Sequence, residues 1–280
     1  MKKVCRILGE KFFGFKPFVA LFALASVAST VSAERSGAFV GAEIGMSGGG
    51  EIKSSYYKCQ ATDTNVEYPV CSDAGQGSEG LSSDGGVDYG FVAGYKLFVT
   101  RYFGLRAYAN INVAHFAFQA RGKNSLNTKA NATMLNYGAN VDLLGNFVVM
   151  GDSSFGGFVG FGIGANTWLG KDLDKLKGIY EANLSTQDIA LLDGLKRNTT
   201  SFDMTLNVGL RGTLQKVHGV EIAFRVSFFG SRAFYEYYDE YQKKQNNAGN
   251  EIAYLNKHIE ANTTIYNPYS ILLRYTYSFH

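Results

Sequence analysis

From Tyr269 to Phe279 every second residue is large and apolar or aromatic: Tyr269, Ile271, Leu273, Tyr275, Tyr277 and Phe279. Between them stand Ser270, Leu272, Arg274, Thr276 and Ser278. Side chains alternate across a strand, so this period of two gives one greasy face and one mostly polar face. About 11 residues is also the length of a tilted strand crossing a bilayer. The pattern recurs in seven upstream segments, at 37–47, 87–99, 103–113, 135–147, 155–168, 202–211 and 220–228. In each, one face carries no charge, as in Val87, Tyr89, Phe91, Ala93, Tyr95, Leu97 and Val99. The opposite faces collect Gly, Asn and charge.

The connections alternate in length. Those near 100–102, 148–154 and 215–219 are short, and those at 48–86, 115–133, 169–200 and 229–266 are long. An even number of strands with alternating short and long connections specifies an all-β fold. It is an eight-stranded antiparallel up-and-down transmembrane β-barrel with four long extracellular loops and both termini in the periplasm. A soluble barrel alternates too, but with its greasy face inward. Here the glycine-rich face suits a crowded lumen and would be odd on a solvated exterior. Rings also gather at the two ends of the greasy face: Tyr89, Tyr137, Phe202 and Tyr269 on one side, Phe103, Phe147, Phe155, Tyr277 and Phe279 on the other. Such girdles mark membrane interfaces.

Residues 1–33 read as a cleaved signal peptide, and 34–280 as the barrel. Lys2, Lys3, Arg6, Lys11 and Lys16 precede the apolar stretch 18–28, and Val31-Ser32-Ala33 is a small-residue cleavage site before Glu34. The implied route is Sec export to the outer membrane of a Gram-negative cell. The 27 Lys+Arg then lose five and the 24 Asp+Glu lose one, leaving 22 against 23, a net charge of −1. Charge therefore implies no nucleic-acid partner. Cys59 and Cys71 survive in an exported chain and read as a disulfide closing a surface loop. Two cysteines without nearby His are a weak metal signal, and no cofactor is expected.

The inward face carries Glu43, Asp88, Asp142, Asp203 and Glu221 against Lys96, Arg106, Arg211, Arg225 and Arg274. Five acids and five bases in a narrow lumen must pair, because an isolated buried charge costs several kcal/mol. They read as a salt-bridged plug, the alternative being an ion path through a narrow porin-like channel. A lipid-modifying outer-membrane enzyme ranks third. His115, His218, His258 and His280 lie in no context that holds a Ser and a carboxylate in nucleophile-activating geometry, so no catalysis is expected. The long connections are the working parts of this reading. Ser185 is placed to cap a short helix, and Tyr235, Tyr237, Tyr238 and Tyr241 cluster as in a binding loop, either to meet a ligand or to pack on the barrel rim.

The mature start Glu34-Arg-Ser-Gly-Ala-Phe-Val-Gly41, the entry Val217-His-Gly-Val-Glu-Ile222 and the ending Tyr275-Thr-Tyr-Ser-Phe279 together resemble the Helicobacter outer-membrane protein family, of Hop/Hor type. The resemblance covers the strands and implies outer-membrane insertion, with members described as adhesins or porins. The partners expected on this reading are outer-membrane lipid, the barrel-assembly machinery and a host or envelope surface ligand.

Overall fold

The computed structural model describes residues 34–60, 75–83, 85–120, 129–176, 185–191, 199–245 and 251–279. Residues 1–33, read above as the leader, and Cys71 lie outside them. Twelve strands follow in chain order: β1 (Gly37–Gly48), β2 (Glu51–Gln60), β3 (Gly75–Ser82), β4 (Gly86–Phe98), β5 (Phe103–Ala120), β6 (Lys129–Met150), β7 (Ser153–Leu169), β8 (Thr200–Leu214), β9 (His218–Ser227), β10 (Ser231–Gln245), β11 (Glu251–Tyr266) and β12 (Tyr269–Ser278). A short 3-10 helix (Lys171–Leu176) and a short helix α1 (Thr186–Leu191) lie between β7 and β8.

Eight of these strands close on themselves in the order β5-β4-β1-β12-β9-β8-β7-β6, the ring completed by β6 pairing with β5. All neighbours are antiparallel. The first and last barrel strands meet from Phe39↔Ser278 to Gly48↔Tyr269. The alternation read from the sequence sets the two faces. Ile44, Phe91, Phe161, Phe202 and Ile222 point outward and are each about 60% exposed. A contiguous apolar surface of that extent suits hydrocarbon and not water. Between them, Glu43, Asp88, Lys96, Arg106, Asp142 and Arg274 point inward and are buried.

The turn end is tight. Gly151-Asp152 joins β6 to β7, a shorter connection than the 148–154 expected, because a bulge at Phe147 lets pairing continue to Met150↔Ser153. Gln215 and Lys216 both sit in the left-handed region, with φ of 51° and 64°. Two such residues in succession make the turn type whose twist suits a hairpin, but side chains with a Cβ are strained there. Replacing Gln215-Lys216 by Asn-Gly is expected to stabilise the barrel by roughly 1 kcal/mol. A higher unfolding temperature in detergent checks this, and an unchanged one would mean that the turn is unstrained.

The long connections are not loops over most of their described length. β5 and β6 run on past the apolar belt. The stretch 48–86 supplies the hairpin β2–β3, and 229–266 supplies β10–β11. β2 pairs with β11, and the four strands join the barrel wall at Leu81↔Ala120 and Ser82↔Gln119 on β5. They escape a period-two reading because neither face meets lipid, so their apolar and polar residues do not segregate. Their inner side still builds a core. Ile52, Leu81, Ala233 and Ile265 from the extension pack with Phe116, Phe118, Met134, Trp168 and Leu173. This apolar cap sits over the outer end of the lumen.

Candidate functional site: the lumen and the external sheet

The ten lumen charges expected from the sequence all face inward and are buried, and the fold sorts them by height. In the middle tier Arg106 donates from Nε and Nη2 to Asp142 Oδ2, at 3.0 and 2.5 Å, and from Nη1 to Glu221 Oε1 at 2.5 Å. Arg274 donates to Glu43 Oε2 at 2.7 Å and to Glu221 Oε2 at 3.1 Å. β5 and β9 stand four places apart in a ring of eight, so the Arg106–Glu221 pair crosses the lumen along a diameter. Rings enclose the two guanidinium groups. Tyr108 lies 5.0 Å from Arg106 and 4.9 Å from Arg274, and Phe158 lies 4.9 Å from Arg106. Gly160 makes room for this tier, because a Cβ there would collide with Oδ1 of Asp142 and the carbonyl of Val141.

The lumen is therefore less polar than expected. Phe39, Val92, Phe98, Tyr108, Leu144, Phe158, Ala223 and Leu272 are buried in it as two apolar clusters. An eight-stranded barrel has room only for its own side chains, and these fill the space the charges leave.

Toward the outer end one polar residue from each barrel strand contributes to a ring: Ser47, Asp88, Asn112, Asn136, Asn166, Asp203, Ser227 and Ser270. Hydrogen bonds run around it, from Ser47 to Asp88 at 2.8 Å, Asn112 to Asp88 at 3.2 Å, Asn136 to Asn166 at 2.7 Å and Asn166 to Asp203 at 2.9 Å. Ser227 donates to Asp203 at 2.5 Å, and Ser270 bonds Ser47 at 2.6 Å. Asn110, Asn140 and Asn207 lie just below, and Arg225 ties them to Glu43 through contacts of 3.1 Å to Asn207 and 3.5 Å to Glu43. Asp88 and Asp203 are thus held by hydroxyls and amides, whereas the other inward acids meet a cation directly. The void inside the ring is about 10 Å³, room for about one water molecule.

At the turn end the pairing includes a residue the sequence reading left out. Glu34, taken above only as the first residue after the leader, is buried with its carboxylate inside the barrel. Arg211 Nη2 donates to both its oxygens, at 2.5 and 2.6 Å, and Lys96 Nζ donates at 3.0 Å. The lumen holds six acids against five bases once Glu34 is counted. No periodicity could have found it, because it precedes β1.

The external sheet brings the tyrosines together selectively. A bulge at Ala233 shifts the register of β10 between Arg232 and Phe234 and so reverses which residues face out. Tyr235, Tyr237 and Tyr241 emerge 42%, 56% and 62% exposed. Tyr238 does not join them; it packs with Tyr56 against Ile259 and Ala261. Arg232 stands 4.8 Å over the Tyr235 ring, and Asn262 and Glu260 lie opposite Tyr235 and Tyr237 on β11. On the same sheet a groove of about 360 Å³ runs past Lys53, Ser55, Gly80, Asn262, Thr264 and Tyr266. Cys59 is buried on β2 opposite His258, and its expected partner Cys71 lies outside the described residues.

Three external segments meet at Asp188 on α1. It accepts from Lys58 of β2 at 2.8 Å, from Lys257 of β11 at 2.6 Å and from Ser185, the expected N-cap, at 2.7 Å. Ser185 in turn accepts from the Asp188 amide at 3.2 Å, which caps the helix. Burial would push this carboxyl up, but the bonds from Lys257, Lys58 and Ser185 prevail and hold it well below the usual carboxylate range. A lowered folded pKa contributes stability above the unfolded pKa and loses it only as pH falls through the lower value. The tie therefore persists at pH 4, where ordinary carboxylates begin to protonate. Asp188→Asn is expected to weaken the external sheet by about 2 kcal/mol. Hydrogen exchange of β2 and β11 at pH 7 reads it, and unchanged protection would show that the tie holds nothing.

The three described histidines have separate partners, and His280 lies outside the described residues. His115 bonds the Tyr89 hydroxyl at 3.2 Å and Thr133 at 3.0 Å at the outer girdle. His218 bonds Tyr275 at 2.7 Å, and His258 bonds Asp239 at 2.6 Å on the external sheet.

Against known proteins, a family model described as Helicobacter outer membrane protein matches residues 90–279. No curated protein sequence matches the chain significantly. Solved structures similar to it include the outer membrane protein OprG from Pseudomonas aeruginosa, at 12% identity and a TM-score of 0.45, covering 89% of this chain and 100% of that one. The outer membrane protein AlkL is similar at 14% identity and a TM-score of 0.35, covering 90% and 95%. The attachment invasion locus protein Ail of Yersinia pestis is similar at 10% identity and a TM-score of 0.27, covering 82% and 99%.

Proposed function

The chain belongs to the Helicobacter outer membrane protein family, and from that premise we propose that its barrel is a closed anchor whose external strands carry a surface-interaction role, adhesion to host or envelope components. The observation that carries the closed barrel is the Arg106–Glu221 pair at 2.5 Å, which bars the lumen along a diameter between two further layers of bonded side chains. Ion conduction along the axis would have to break that pair, a buried charge-assisted bond whose two members are held in place by Asp142 and Arg274. The adhesive role rests on the Tyr235, Tyr237 and Tyr241 face, which offers large, rigid, amphipathic contact area on a paired sheet. The reading includes no catalytic step. It takes the leader over 1–33 as removed on export by the Sec route, and the Cys59–Cys71 bridge as a staple of the β2–β3 hairpin.

Two measurements test it. Protein purified from outer membranes should give no steady currents in planar bilayers, and single-channel currents would replace this reading with a narrow channel. Cells carrying the triple change Tyr235→Ser, Tyr237→Ser and Tyr241→Ser should lose most of their binding to host surfaces while displaying the protein at normal levels. Undiminished binding would remove the tyrosine face from the role.

A further inference from the structure

The inner end of the lumen is closed differently from the rest. Every other acid in it projects from a barrel strand and cannot leave without unpairing the wall. Glu34 precedes β1; its carboxylate is bound inside the barrel, and Ser36 beside it accepts the Phe98 amide at 2.9 Å. Gly37 lets the chain turn in under the wall, since a Cβ there would strike the carbonyl of Phe279.

Around the carboxylate three donors converge from the wall. They are Arg211 Nη2, at 2.5 and 2.6 Å from the two oxygens, Lys96 Nζ at 3.0 Å and Thr213 Oγ1 at 3.2 Å. Behind them Arg211 is fixed by donating Nη1 to Asn146 at 3.2 Å and by lying 5.7 Å from the Phe98 ring. Lys96 lies 5.2 Å from the Phe39 ring and donates to Glu34. Two buried cations and a hydroxyl on one point, backed by aromatic rings, form an oxyanion receptor. The receptor belongs to the wall, and its ligand belongs to the leading segment.

We propose that the turn end of the lumen is a binding site for a small oxyanion, a carboxylate or a phosphate, which Glu34 fills as a tethered ligand and so seals the mouth. A free oxyanion arriving from the periplasm competes with Glu34 for Arg211, Lys96 and Thr213, and the segment ahead of β1 is released when it wins. The inference rests on the closed lumen proposed above, but its test is separate.

The test uses the processed protein purified from outer membranes in detergent. Glu34→Ala takes from Lys96 its bonded carboxylate, leaves Arg211 with the more distant Glu221 at 3.7 Å, and should lower the unfolding temperature by roughly 5–10 °C. Adding sodium formate should recover roughly half of that loss, because it binds the folded state only. Sodium chloride at the same ionic strength should recover little, and phosphate in a parallel series tells a planar carboxylate site from a general oxyanion site. Glu34→Gln, which keeps the side-chain volume, should show the same ranking with a smaller loss and serves if the alanine variant does not assemble. Equal effects of formate, phosphate and chloride on both variants would overturn the proposal, as would an unfolding temperature unchanged from the wild type. Conduction by the wild-type protein would sink the closed lumen and leave the anion site standing.

Discussion

Arg106→Met is expected to destabilise the barrel by about 3–5 kcal/mol, enough for much of the protein to remain unassembled in the outer membrane. Arg106 is fully buried, and its guanidinium donates two hydrogen bonds to one oxygen of Asp142. The other Asp142 oxygen has no hydrogen-bond partner, so removing Arg106 strands a carboxylate inside the protein. Glu221 is less affected, because Arg274 still donates to it at 3.1 Å. The cost should therefore be largely reversed by removing the stranded charge as well. Arg106→Met with Asp142→Leu should recover most of the stability, since a buried pair replaced by apolar groups of similar volume is often neutral. The heat-dependent shift of the folded band on gels, with thermal unfolding in detergent, reads both variants. A double variant no more stable than the single one would mean that Asp142 is not what Arg106 compensates.

The second large effect lies at the other end of the lumen. Phe118 is fully buried on the part of β5 that rises above the belt, 5.7 Å from the Phe116 ring and 6.2 Å from Trp168. Truncation to Ala removes the centre of that stack, and a buried Phe→Ala change costs about 3–5 kcal/mol. The loss should fall on the cap alone. β2, β3, β10 and β11 pair with the wall at two residue pairs on β5, and this core packs them against it. Phe118→Ala cells are therefore expected to lose β2–β3 and β10–β11 to external protease while the barrel keeps its heat-stable band. Loss of the barrel band too would show that cap and barrel unfold as one unit.

How much of this was legible beforehand depends on whether a segment meets lipid. Where it does, hydrocarbon excludes charge from one face, and alternation names the inward residues one by one. Glu43, Arg106 and Arg274 were placed that way. In β2 and β10 water lies on one side and a small core on the other, so Lys53, Ser54, Ser55, Tyr56 and Tyr57 show no segregation and the strands read as loops. The tyrosines of β10 read as one cluster for the same reason, although Tyr235, Tyr237 and Tyr241 emerge and Tyr238 packs inward. The bulge at Ala233 decides which of them emerge, and a single unpaired residue leaves no mark on composition.

The sequence by itself determined the wall: eight crossings, their direction, and the face each side chain takes. Those follow from a local rule, the two-residue period of a strand held against a solvent that rejects charge. Only the closed structure decided which acid meets which base. Arg106 and Glu221 are 115 positions apart in the chain and meet because closure sets their strands opposite one another. Glu34 reaches Arg211, 177 positions away, from outside any strand. Pairings of this kind depend on the stagger at which the sheet closes, a property of all eight strands together.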